Sequence, residues 1–260
     1  MAVFISASDE NAGKTHRDRF LFAGWIGPEE DWSRFFAPAW QERVLDGPPA
    51  IPYLHMTEIR SPQWRARYGL SRLQADDRVD EAFVLMDTMQ SLFPLGVSLD
   101  AGLLRDTFAT ARVVSSTAAG APKPFDPDYL CFLYYAYLAL AYVDSRHPEA
   151  HKLNFIVERK GHVTKYIQGF HATLAATLEA LGKPSYARLV GDLIPGDKDC
   201  VPLQAADVLC WHTARYQQPE TMDAADLGRY GMIAHRNGEH HRISPEDISK
   251  LEAAMLPYGV

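Results

Sequence analysis

The sequence is short of several things, and each shortage narrows what the protein is. It has 3 cysteines, Cys131, Cys200 and Cys210, which lack metal-type spacing and cannot all pair. Neither a disulfide scaffold nor a cysteine-bound metal is expected, and reduced thiols in a cytoplasm are. No apolar run approaches the roughly 20 residues that a bilayer span needs. The most apolar stretch, Leu130 to Val143, is interrupted by tyrosines and reads as a buried helix. The opening Met-Ala-Val-Phe-Ile-Ser has no basic lead and no long apolar segment, so no signal peptide is expected. Basic residues are outnumbered: the formal charge is −7, which argues against a broad coat of nucleic acid. A local basic strip beside an acidic pocket stays open. A nucleophile elbow and a dinucleotide-binding glycine fingerprint are both missing.

What is present suits one large α/β domain: 260 residues, 47% hydrophobic and 23% charged. Residues 1–218 are read as that domain and 219–260 as a small helical C-terminal extension packed on it. Ala2 to Ser6 is a first strand and Phe20 to Ile26 a second, returning antiparallel, with a polar loop from Asp9 to Arg19 between them. Asp31 to Leu45 is amphipathic through Trp32, Phe35, Phe36, Trp40 and Val44, with Pro38 expected to bend or split the helix. Ile51 to Ile59 reads as extended. Val79 to Met89 is helical, Leu95 to Leu99 a strand, and Ser115 to Pro124 an exposed loop. After the buried helix Tyr129 to Ser145 come a strong strand, Leu153 to Val157, and an amphipathic helix from Val163 to Leu181. Tyr186 to Asp192 reads as one more strand. Ser244, Pro245 and Asp247 open a last helix. Two early strands followed by alternation predict a mixed sheet covered by helices on both faces, with ligands expected at strand carboxyl ends.

Most chemistry-bearing patterns have a plainer reading. Gly13-Lys14-Thr15 ends like a phosphate loop, but the leading glycine is missing and a strand-like run follows. In an extended segment His55 and Glu58 point to opposite faces and cannot share an ion; His55 is read as structural. His235, His240 and His241 sit in a polar, arginine-rich stretch and read as solvated. Asp207 is different. In the helix opened by Pro202 it shares a face with Leu203, Ala206 and Cys210, and a carboxylate against a core must be paired. Asp9 or Glu10, Glu58, Glu158 and Asp207 come from separate elements, the arrangement with which carboxylates hold Mg²⁺ or Mn²⁺ around a phosphodiester.

The order of these pieces resembles the domain-of-unknown-function 3800 family: Val3-Phe-Ile-Ser-Ala-Ser-Asp9-Glu10, then Phe20 to Ile26, then Pro28-Glu-Glu-Asp-Trp32, Leu54-His-Met-Thr-Glu58, Phe155-Ile-Val-Glu158 and Leu203-Gln-Ala-Ala-Asp207. The last motif is the most specific. The resemblance implies an RNase H-like α/β fold. It also implies a metal-dependent nuclease acting on RNA or DNA, with Asp9 (or Glu10), Glu58, Glu158 and Asp207 at its centre. Arg159, Lys160, Lys165 and Gln204 are candidate substrate contacts, and Arg60, Arg65, Arg67 and Arg72 with Trp64 and Tyr68 a second strand-contacting surface. Aligned without a gap, the family's first Asp falls on Ser6 and its Glu on Ala7. Either Asp9 or Glu10 takes over that role or a ligand is lost. Losing it would leave an inactive module that binds a protein or nucleic-acid partner.

Overall fold

A computed structural model of the chain describes residues 2–10, 19–100, 102, 112–113, 123–124, 127–159, 161–217, 220, 222–234, 238–247 and 250. Six strands form one sheet: β1 (Ala2–Glu10), β2 (Arg19–Pro28), β3 (Phe93–Asp100), β6 (Ala150–Glu158), β7 (Val190–Gly196) and β8 (Glu239–Arg242). Their order is β7-β6-β1-β2-β3-β8. β2 runs antiparallel to both of its neighbours, β1 and β3, while β6 runs parallel to β1, β7 to β6 and β8 to β3. A separate two-stranded ladder joins β4 (Arg112–Val113) to β5 (Lys123–Pro124).

Side-chain alternation sends each strand's residues to two cores. Phe4, Phe22, Val97, Phe155 and Val157 face one side, packed with α5 (Pro127–Arg146), α6 (Gly161–Ala180) and α7 (Pro184–Leu189). Leu21, Ala23 and Trp25 face the other. There they meet a helical run over residues 29–45 (α1), α2 (Met56–Ile59), α3 (Pro62–Arg67), α4 (Arg72–Thr88), α8 (Val201–Tyr216) and α9 (Ala224–Ala234). The expected mixed sheet with helices on both faces is thus present. Among the described residues no helix is long and apolar enough to cross a membrane. Cys131 and Cys210 are buried, Cys200 is half-buried, and none of the three is in a disulfide.

Several local expectations change. The chain does not leave β1 at Ser6: the strand continues through Glu10, because Asp9 pairs with Ala23 and Glu10 with Phe22 of β2. Gly13-Lys14-Thr15 lies outside the described residues. Pro38 neither breaks nor splits α1, which runs through it with π turns Trp32–Phe36 and Gln41–Leu45 on either side. The segment from 51 to 59 is extended only to His55, where Met56 and Ile59, three apart and both fully buried, fold it into α2. Pro184 starts a helix, so residues 184–189, which take in the start of the expected strand, are α7 and the strand begins at Val190. Of the expected loop from Ser115 to Pro124, only Lys123 and Pro124 are described, in β5. The C-terminal segment is not only helical: beside α9 it supplies β8. The polar Glu-His-His-Arg sequence hid that strand, and a polar strand is tolerated where it lies, at an edge.

Candidate functional site

α8 organises the site. Pro202 takes its second position, where no N–H is needed, and Leu203, Ala206 and Cys210 bury the predicted face. Trp25 of β2 donates from Nε1 to the Ala205 carbonyl at 3.2 Å, pinning α8 across the strands. Gln204, only 2% exposed, is a three-way brace. Its Oε1 accepts from Trp40 Nε1 at 2.9 Å and from the Leu54 amide at 3.0 Å, and its Nε2 donates to the Lys198 carbonyl at 3.0 Å. The amide expected to touch substrate lines an adjoining cleft and also holds the segment before α2 and the turn after β7 against α8.

That bracing closes a cleft at the carboxyl ends of β1 and β6. Asp9, Glu158 and Asp207 line it together with His55, Asp197 and Lys198. The two strand acids meet for a reason the register supplies. Ser8 pairs with Val157 between parallel β1 and β6, so Asp9 and Glu158 come next on each strand and point to the same side as Ala7 and Ile156, which pack on Leu203. The pleat also resolves the offset at Ser6. Its hydroxyl donates to Tyr135 Oη at 3.0 Å on the opposite face, so an acid there faces away from the cleft, and Asp9 is the β1 carboxylate within it. Glu10 shares the strand end, but its side chain lies outside the described residues.

Asp207 is held by its Oδ2, which accepts from the Met56 amide at 2.6 Å; His55 Nε2 stands 3.8 Å from Oδ1. His55, read from sequence as structural, therefore belongs to the site. Helix formation directly after it turns its ring toward α8. Glu58 moves the other way. It pairs with Lys198 Nζ at 2.9 Å and acts on the cleft through that lysine. Burial works against the Glu58 carboxylate, but the Lys198 and Tyr53 hydrogen bonds outweigh it and hold the group below its ordinary range. Burial likewise opposes the Lys198 ammonium, and the bond and charge of Glu58 prevail, raising it.

Arg159 is exposed at the cleft's rim, its Nε 3.4 Å from Asp197 Oδ1. Lys160 lies outside the described residues, and for Lys165 only its place in α6 is described. The second expected surface loses one of its two aromatics, because Trp64 is buried against Tyr53 and Tyr68, while Tyr68 is half-buried with Arg67 over its ring. His241 is engaged by Asp247 at 3.2 Å and stacks on Tyr134. Asp197 and Lys198 were missed because the preceding strand was placed too early. The rule that sites gather at strand carboxyl ends would have found them.

Three of the residues lining this cleft, Asp9, Glu158 and Asp207, are carboxylates from separate elements, and carboxylate oxygens are among the donors that hard divalent cations take. Its volume, about 20 Å³, exceeds the roughly 10–15 Å³ that one water requires. A formed cage is not present: among the described residues no three His, Cys, Asp or Glu side chains stand close enough together to hold a metal. Compared with protein-family models, curated proteins and solved structures, the chain finds no match.

Proposed function

We propose that the protein is a divalent-metal-dependent phosphodiester hydrolase acting on RNA or DNA, with Asp9, Glu158 and Asp207 as the carboxylates that would hold Mg²⁺ or Mn²⁺. One observation carries this reading: acids from β1, β6 and α8, far apart in sequence, line one cleft at the carboxyl ends of parallel strands. On the same reading the fold is RNase H-like and the chain a relative of the domain-of-unknown-function 3800 family. The motif order and the central position of β1 support both. A bound divalent cation supplies Lewis-acid polarisation of phosphoryl oxygens and a more acidic water. The chain's own residues prepare the rest. The Met56 amide fixes the Asp207 carboxylate, Gln204 fixes the segment that presents His55, and Glu58 aims the Lys198 ammonium at a phosphate oxygen. His55, beside Asp207, is placed to carry a proton.

The test is cleavage of labelled RNA and DNA with Mn²⁺ or Mg²⁺. Asp207→Asn and Glu158→Gln are each expected to lose about a hundredfold or more, since several kcal/mol of charge stabilisation at about 1.4 kcal/mol per tenfold is at stake. Wild type no faster than these variants overturns the reading. Lys198 favours a second one, because a cleft that carries its own ammonium can bind a partner without any metal. Absence of Mn²⁺ heat in a calorimetric titration, with a partner recovered by pull-down, selects that inactive module.

A further inference from the structure

The other end of α2 opens on a different environment. Ile59, Arg60, Arg65, Arg72, Ala75 and Asp76 line an open pocket of about 180 Å³, several times the roughly 30 Å³ that one water occupies in the liquid. Three guanidinium groups share it with one carboxylate. Arg60 is held by Asp76 and Asp226, both at 2.7 Å, and is a fixed wall. Arg72 is exposed and reaches Asp76 only at 3.8 Å. Arg65 is the informative member. Its Nη1 donates to the carbonyls of Ile59 at 3.1 Å and Arg60 at 2.8 Å, which fix its position without neutralising it. Among the described residues no carboxylate pairs with it. A pre-positioned guanidinium beside a second, exposed one matches the forked, charge-assisted recognition of a tetrahedral oxyanion.

We propose that this pocket binds a phosphoryl group, with Arg65 as the anchoring contact and Arg72 closing on it. The site does not depend on the cleft being a metal centre, so its test is run without divalent cations. The full-length protein in EDTA is titrated with inorganic phosphate by calorimetry, with chloride at equal ionic strength as reference. Saturable binding is expected, weakened about tenfold by Arg65→Ala, as loss of a charge-assisted pair implies, and about threefold by Arg72→Ala. Arg34→Ala, at an exposed position of α1, is expected to bind as wild type does. Should Arg65→Ala fail to fold, Arg65→Lys keeps the charge but not the planar fork and is expected to weaken binding severalfold. No saturable phosphate binding, Arg65 variants that bind as wild type does, or an equal loss in Arg34→Ala overturns the proposal.

A second titration, with a single-stranded decanucleotide in EDTA, identifies the source of the phosphoryl group. Tighter binding than phosphate, lost in Arg65→Ala, assigns it to a polynucleotide strand. Oligonucleotide binding unaffected by Arg65→Ala, with phosphate binding reduced, assigns it to free phosphate or a phosphomonoester. Failure of Mn²⁺-dependent cleavage touches neither titration.

Discussion

Two carboxylate clusters lie on the α8 side of the sheet, and the chain treats them in opposite ways. Around Asp226 every acid is locked. Asp226 Oδ1 accepts from Arg60 Nη2 at 2.7 Å and Arg229 Nη1 at 2.9 Å, Asp76 from Arg60 at 2.7 Å, and Asp80 from Arg229 Nε at 2.6 Å. Burial works to raise the Asp226 carboxyl, but the His212 imidazole 3.6 Å away, Arg60 and Arg229 hold it well below its ordinary range. In the cleft, by contrast, Asp9, Glu158 and Asp207 surround an open volume. The cations at its edge, Lys198 and Arg159, engage Glu58 and Asp197. Acid density alone therefore does not mark a site. What separates the two, among the described residues, is whether guanidinium forks fill the space between the carboxylates.

The largest expected effect separates them by stability. Asp226→Ala leaves Arg60 and Arg229 facing each other around a buried void, and breaking a buried pair of this kind costs about 3–5 kcal/mol. Asp207→Asn keeps an oxygen for the Met56 amide and removes one charge from an acidic group. It is expected to change unfolding free energy by about 1 kcal/mol or less, while abolishing Mn²⁺ binding. Urea denaturation of both variants makes the comparison, and equal destabilisation would erase the distinction drawn here. Next in size is Gln204→Ala. It strands the Trp40 indole and the Leu54 amide, and at about 1–3 kcal/mol per buried unsatisfied group a loss of roughly 2–4 kcal/mol is expected, with cleavage reduced through misplacement of His55.

Acid sensitivity is expected to belong to the locked cluster. His212 is fully buried and burial pushes its imidazole below the ordinary range, against the pull of Asp226. Both groups are depressed in the fold, so both contribute stability above their unfolded pKa values and lose it as pH falls. The His212 part declines from about 6.5 downward and the Asp226 part from about 4 downward. Denaturation midpoints followed from pH 8 to pH 4 are expected to fall through the first window in wild type. His212→Gln is expected to flatten that window. An unchanged slope would place the titrating group elsewhere.

How much of this was legible follows from what each residue's signal depends on. Alternation and helical spacing are local, so β1, β2, β6 and α8 were readable, as was the placing of Glu158 at a strand end. The meeting of Asp9 with Glu158 needed the β1–β6 register, which no local pattern carries. His55 was misjudged because Met56 and Ile59 fold into a single helical turn too short for periodicity to show. Gln204 was found by motif, but its bracing role was not legible, since its three partners lie on α1, ahead of α2 and after β7. Lys198 escaped because α7 was taken for strand, which moved the true end of β7 out of view.

The smallest effect on stability is expected from Lys198→Gln, and it bears most directly on what the cleft binds. The Glu58–Lys198 pair is roughly a third exposed on both sides, a setting in which such bridges contribute about 0–1 kcal/mol, so unfolding should barely move. The ammonium lies against the same volume as Asp9, Glu158 and Asp207, and its removal lowers the charge there by one unit. A divalent cation and the ammonium compete for one negative potential, so Mn²⁺ affinity is expected to rise severalfold in Lys198→Gln even as cleavage falls, because the phosphate contact goes with it. Glu58→Gln frees the ammonium to turn into the cleft and is expected to weaken Mn²⁺ binding. Opposite signs for these two substitutions are what a cation site predicts. A partner-binding cleft that uses Lys198 as its own cation predicts no Mn²⁺ response from either.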